Sequence, residues 1–152
     1  MSRSIVILAG GLSHERDVSI RSGRRVAEAL RSVGERVTVH DLDASLLGDL
    51  ATSPPDCVIP LLHGASGEDG PLRDVLDSLG IPYVGSRPDA CRLAFDKMVA
   101  KAHVAGDDLH TAPAVALARD GNPFAALEKA IRAEPIAPED LEIGLFGSDI
   151  QE

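Results

Sequence analysis

Leu8-Ala-Gly-Gly-Leu-Ser-His-Glu-Arg-Asp-Val-Ser19 completes the apolar run Ile5-Val-Ile-Leu8 and leads into a long periodic segment. A buried strand that enters a glycine turn and then a helix is the unit from which open α/β sheets are built. Paired glycines permit positive φ and let backbone approach backbone or ligand closely. The amides that open the following helix, with its dipole, favour negative charge on a ligand. His14 and Glu15 stand in the turn, at the strand's carboxyl end, where such sheets hold their ligands. A tight connection whose polar residues simply face water is the plain alternative, because the stretch lacks a full G-x-G-x-x-G.

The rest of the chain repeats the alternation. Val18–Val33 places Val26, Ala27, Leu30 and Val33 at helical spacing, with Arg21, Arg24, Arg25 and Arg31 largely opposite and Gly34 as the stop. Arg36–His40 alternates and is β-branched, so it reads as a second strand. Leu46–Leu50 reads as a short helix ahead of Ser53-Pro-Pro55, and Cys57–Leu62 as a third strand. Proline donates nothing to a ladder, so Pro60 belongs at that strand's end or on an open side. After the glycine-rich loop His63–Gly70, Pro71 starts a helix with Leu72, Val75, Leu76 and Leu79 on one face. Gly80 ends it and Tyr83-Val84 begins a fourth strand. Ser86 then caps a helix from about Pro88 to about Val104, with Leu93, Ala94 and Met98 inward. The pattern predicts an α/β fold, a doubly wound and mostly parallel sheet with right-handed crossovers. Beyond Gly106 the signal weakens to a strand over Thr111–Leu117, a helix over Pro123–Ala133 carrying Phe124, Leu127 and Ile131, and an alternating strand over Leu141–Phe146.

Composition narrows the function classes. A chain of 152 residues that is 44% hydrophobic can bury a core, and with aromatics at 3% that core is aliphatic. The net charge is −9, which argues against a nucleic-acid binder, since phosphates demand clustered Lys and Arg. From Gly106 onward three basic residues face ten acidic ones, so the remainder is nearly balanced and function rests on sites, not on a global field. The two cysteines, Cys57 and Cys91, have no metal spacing and read as buried reduced thiols of a cytosolic protein. No apolar run approaches the roughly 18 residues needed to span a bilayer, and no signal peptide is evident, so the expectation is a cytoplasmic protein with no membrane partner.

In a parallel sheet the loops Gly10–Asp17 and His63–Gly70 open at one carboxyl edge, so Glu15 and His63 can face one pocket. A fixed carboxylate suits a cationic amine, and a histidine beside it suits an anion or a proton transfer. Taken singly, His63 is equally a structural, hydrogen-bonded histidine. Glu68-Asp69 reads either as a metal-seeking pair or as first-turn acids that complement a helix dipole. Lys97, in Phe-Asp-Lys, is by itself an ordinary solvated lysine.

Four blocks together resemble the N-terminal domain of D-alanine–D-alanine ligases. They are Ala9-Gly-Gly-x-Ser-x-Glu-Arg-Asp-Val-Ser19, Leu62-His-Gly-x-x-Gly-Glu-Asp-Gly70, Gly80-Ile-Pro-Tyr-Val-Gly-Ser86 and Ala94-Phe-Asp-Lys97. The resemblance implies a Rossmann-like substrate-binding domain over residues 1–105. It also implies an incomplete α+β piece of an ATP-grasp domain over 106–152, from the likeness of Asp108–Leu117 and Asp140–Asp149 to separate parts of that domain. It implies ATP-dependent joining of two D-alanines through an acyl phosphate, for peptidoglycan. Glu15 would anchor the ammonium of the first D-alanine, with Val18 shaping its pocket. His63 would sit beside the substrate carboxylate and the forming acyl phosphate, and Lys97 would reach a nucleotide phosphate. ATP and Mg2+ would be the cofactors and a homodimer the assembly, yet no metal ligands are recognisable in this chain. The phosphate clamp and magnesium ligands of the family are absent, so the expectation is a chain inactive by itself, with residues missing near Ala130–Pro138 and after Glu152. The competing readings are a non-catalytic D-alanine-binding or dimerisation module, and a nucleotide-binding α/β domain with Asp41 or Asp43 as ribose ligand.

Overall fold

The computed structural model describes residues 2–106 and, beyond them, Leu109, Thr111, Asn122, Ala125, Glu128 and Arg132. The chain divides into two compact units, Met1–Phe95 and Asp96–Glu152. The expected strand over Leu141–Phe146, nearly all of that over Thr111–Leu117, and the segment Asp140–Asp149 lie outside the described residues. Within the expected helix Pro123–Ala133, Ala125, Glu128 and Arg132 are helical, and Glu128 pairs with Arg132 one turn on.

The first unit runs β1 (Ser4–Leu8), α1 (Arg16–Ser32), β2 (Arg36–His40), α2 (Leu46–Thr52), β3 (Cys57–Pro60), α3 (Ala65–Glu68), α4 (Pro71–Ser78) and α5 (Pro88–Phe95). The strands form one sheet in the order β2-β1-β3, with both pairings parallel. Leu8 lies opposite both His40 and Pro60, so all three carboxyl ends finish at one edge. Alternate residues of β1 feed two cores, as the period of 2 requires. Val6 and Leu8 pack with Val58, with Leu46 and Leu50 of α2, and with Leu72 and Leu76 of α4. Ile5 and Ile7 pack with Val37 and with Ala27 of α1, flanked by Val26 and Leu30. Helices thus cover both faces, which is the doubly wound α/β arrangement expected.

The buried stripe of α1 is Ser19, Gly23 and Ala27, one residue per turn, and Val33 lies past the helix end in solvent. Gly23 explains the shift. A Cβ there would stand 2.6 Å from the Ala9 Cβ, so the helix lies closer to β1 than any side chain at this position would allow. At the other end the Gly34 N–H bonds the Arg31 carbonyl at 3.0 Å and the Glu35 N–H bonds that of Leu30 at 3.1 Å, a Schellman stop.

Three expectations need correction. Tyr83-Val84 makes only one parallel bridge to Val58 and not a strand. Val58 spends its N–H on the Pro82 carbonyl and its carbonyl on the Val84 N–H, and the next residue facing that side is Pro60, which has no N–H to give. The helix expected over Pro88–Val104 is two helices, α5 and α6 (Lys97–Ala105), because Asp96 takes an extended backbone and caps α6. Leu93, Ala94 and Met98 are therefore exposed, and Cys91 is the residue α5 buries. Leu79, expected on the inner face of α4, is also exposed, and the buried face is Leu72, Arg73 and Leu76. Among the described residues no helix is long and apolar enough to cross a membrane.

Candidate functional site

The turn after β1 is held from a neighbouring strand end. Gly10 and Gly11 both take positive φ, and a Cβ on Gly10 would fall within 2.6 Å of the Asp41 Cγ. Asp41, just past β2, accepts the N–H of Gly11 and of Leu42, each at 2.7 Å, through Oδ1. Its Oδ2 meets Arg16 at 2.5 Å, and Arg16 returns a bond to the Gly11 carbonyl at 2.9 Å. The Arg16 guanidinium, then the Gly11 N–H, hold the Asp41 carboxyl well below the usual carboxylate range, at about 2. Asp41 in turn raises the pKa of Arg16. With both oxygens engaged, Asp41 is not available as a ribose ligand. The Gly10 N–H is likewise taken, by Ser19 Oγ at 2.8 Å. The glycine turn spends both its amides inside the protein and offers no phosphate cradle.

What the turn does present is Glu15. It occupies the N-cap position of α1, yet its side chain makes no capping bond and is exposed. The Glu15 backbone supplies the capping geometry, accepting from the Ser19 N–H at 3.0 Å. His14 and Val18 beside it are exposed too.

The loop after β3 contains the single helical turn α3, which the sequence reading took as irregular. Glu68 bends back to accept the Gly64 N–H at 3.0 Å, and its other oxygen lies 3.5 Å from His63 Nδ1. Glu68 thus serves a helix N-terminus, that of α3 and not that of the helix starting at Pro71, while Asp69 stands at the C-cap of α3. Among the described residues no group of three or more His, Cys, Asp and Glu side chains is placed to hold a metal ion. The imidazole is half-buried, with the Glu68 carboxylate as its nearest acidic neighbour. Beneath the loop, Arg73 of α4 is buried and its Nη1 donates to the Gly67 carbonyl, while its Nε has no partner among the described residues.

The two loops meet. A Cβ on Gly64 would stand 3.2 Å from the Ser13 Cβ, closer than side chains normally pack, so the two loops lie side by side at the sheet's carboxyl edge with room only for glycine. Glu15 is two residues from Ser13, and His63 is adjacent to Gly64. Lys97 lies in the second unit, as the first residue of α6 behind the Asp96 cap, which accepts from Met98 and Val99 at 2.9 and 3.1 Å.

No known family profile matches the chain. A D-alanine–D-alanine ligase of Fervidobacterium nodosum is 46% identical over 92 residues, 60% of this chain and 29% of that protein. One from Methylocella silvestris is 46% identical over 101 residues, 66% of this chain and 33% of its own length. Over that stretch the chain is similar to the D-alanine–D-alanine ligases. It spans about a third of the length of these curated relatives. The structure of the Bacillus anthracis D-alanine–D-alanine ligase complexed with ATP is 29% identical with a TM-score of 0.70, covering 84% of this chain and 44% of that one. The D-alanyl-alanine synthetase A of Vibrio cholerae is 26% identical with a TM-score of 0.73, covering 87% of this chain and 45% of that one. The sheet and its helices are those of the N-terminal domain of these D-alanine–D-alanine ligases.

Sequence patterns single out Glu15, Val18, His63 and Lys97 but not the residues that hold the loops. Asp41 appears there only as a ribose ligand, Ser19 only as the end of the first block with no role given to it, and Arg73 carries no local signal beyond being a polar residue on a helix.

Proposed function

We propose that this chain supplies the amino-acid-binding part of an ATP-dependent ligase that joins two D-alanines to D-alanyl-D-alanine for peptidoglycan. Support comes from the similarity to D-alanine–D-alanine ligases and from one structural observation, the close approach of Ser13 to Gly64, which brings the Glu15 and His63 loops side by side. Glu15 pairs with the substrate ammonium. The carboxylate is left free by the cap, so the pairing sacrifices no internal bond. His63, beside Glu68, offers its imidazole to the substrate carboxylate, where a developing negative charge is favoured by a nearby donor. Val18, exposed next to Glu15 on α1, lines the methyl side of the pocket. Holding a small amino acid at both charged ends fixes its carboxylate for attack, and this positioning is the chain's share of catalysis.

A nucleotide is implied by the ATP-complexed relative. The described residues do not fit one: the glycine-turn amides are spent on Ser19 and Asp41, leaving Lys97 as the residue proposed to reach a phosphate. Nor do they fit Mg2+, since no cluster of ligating side chains is present among them. No step through either group is assigned to this chain. The assembly is proposed to be a cytoplasmic homodimer.

The reading is tested by titrating D-alanine, with L-alanine as control, into isotope-labelled chain and following the amides of Ser13–Val18 and Leu62–Gly64. Weak saturable shifts in both loops are expected with D-alanine, reduced about tenfold in affinity by Glu15→Gln. Equal response to the L-isomer, or no response in either loop, would sink the proposal.

A further inference from the structure

We infer that Ser19 is a positioning residue that sets the spacing between the loop bearing Glu15 and the loop bearing His63. Its side chain is fully buried in α1. The hydroxyl oxygen accepts the Gly10 N–H at 2.8 Å, and the hydroxyl proton goes to the Leu61 carbonyl at 2.6 Å. Gly10 opens the first loop and Leu61 leads into the second, two residues before His63. One atom therefore joins the outgoing ends of β1 and β3 beyond the last rung of their ladder.

The ladder itself does not do this job. The Leu61 N–H bonds the Leu8 carbonyl at 2.8 Å, and beyond it the two chains diverge, toward α1 and toward α3. Past that point the loops meet at two places only among the contacts described, at Ser19 near the sheet and at Ser13–Gly64 near the rim. At the rim the Ser13 hydroxyl accepts the Glu15 N–H and the Gly64 N–H donates to Glu68, neither to the other, so that approach tolerates sliding. The Ser19 bonds are directional, one buried and one part-buried, where an unmade bond is costly, so they define one separation. Alanine would leave the Gly10 N–H and the Leu61 carbonyl both unpaired. Cysteine, of nearly the same volume, would keep a weak donor and acceptor.

The consequence for D-alanine rests on the function proposed above, but the loop-spacing role does not, and two measurements separate them. The first compares amide resonances and exchange in the 152-residue chain, its Ser19→Ala variant and its Ser19→Cys variant. Ser19→Ala should speed Gly10 exchange and move Leu62, His63 and Gly64 together with Ser13 and Glu15, while Val37–Val39 of β2 stay in place. Ser19→Cys should show the same pattern at smaller amplitude. The second measures D-alanine affinity, expected to fall about tenfold in Ser19→Ala and less in Ser19→Cys. In the wild type the losses from Glu15→Gln and His63→Gln should be non-additive; in Ser19→Ala they should add. If Ser19→Ala does not fold, Ser19→Cys carries both measurements. A folded variant whose His63 and Gly64 resonances do not move overturns the inference. Moving resonances in a chain that never binds D-alanine would uphold the role of Ser19 and overturn only the proposed ligand.

Discussion

Asp41 accepts the Gly11 N–H at 2.7 Å, so the end of β2 fixes the turn that leaves β1. The bond explains why glycine stands at position 10, where a side chain would occupy the carboxylate's place. It also makes the stability of the turn depend on one ionised group.

That dependence has a sign. The Asp41 pKa is depressed in the folded state to about 2, against 3.8 for an ordinary aspartate. Its contribution is therefore fully present above the unfolded value and is lost as pH falls from about 4 toward 2. Asp41→Asn should be less stable than wild type at pH 7, with the difference shrinking toward zero by pH 2. Urea midpoints at pH 7, 4 and 2 measure it, and a difference constant across that range contradicts the assignment.

Gly23→Ala tests the close seating of α1 on β1. Helix propensity alone would favour alanine by about 1 kcal/mol. Against this stands a methyl placed 2.6 Å from the Ala9 Cβ in a packed core, and overpacking of this kind costs about 1–3 kcal/mol. The clash should win, leaving the variant about 1 kcal/mol less stable by denaturant titration. A stabilised Gly23→Ala would mean that the helix is free to move outward.

The break between α5 and α6 rests on Asp96, whose carboxylate accepts two amides of the next helix. Asp96→Ala should weaken α6 by about 1 kcal/mol, as loss of an N-cap does. Faster exchange at Ala100–Val104 is the readout. If protection there is unchanged, the cap is not what holds the first turn.

Burial pushes the Cys57 thiol above its usual pKa, and Cys91 is buried in α5. Both should react with a thiol reagent at pH 8 severalfold more slowly than free cysteine, because the thiolate is the nucleophile. Urea should abolish the difference. Rapid labelling of Cys91 in the native chain would contradict its burial.

Much of this was legible along the chain. The apolar runs at Ile5–Ala9 and Cys57–Leu62, with the glycines behind them, mark two strands whose carboxyl ends carry Glu15 and His63. Pro60 was expected at a strand end, and it is the last residue of β3. The errors lie where periodicity continued through a local event. Nothing in Phe95-Asp-Lys-Met breaks a helical pattern, yet Asp96 leaves the helix to cap the next one. Leu93 and Leu79 sit at apolar spacing but on surfaces that this chain leaves exposed.

The order β1-α1-β2-α2-β3-α4 was determined by the sequence alone, because hydrophobic period and glycine or proline punctuation act between near neighbours. So was the placing of Glu15 and His63 on loops after parallel strands. The turn α3, the single bridge at Tyr83 and the break at Asp96 were not. Only the tertiary structure decided that Ser19 joins Gly10 to Leu61, that Gly23 seats α1 on Ala9, and that Asp41 grips Gly11. Those contacts link residues as far as 42 positions apart in the chain. A serine, a glycine or an aspartate reads the same in sequence whether it faces water or holds two loops together, and burial settles which.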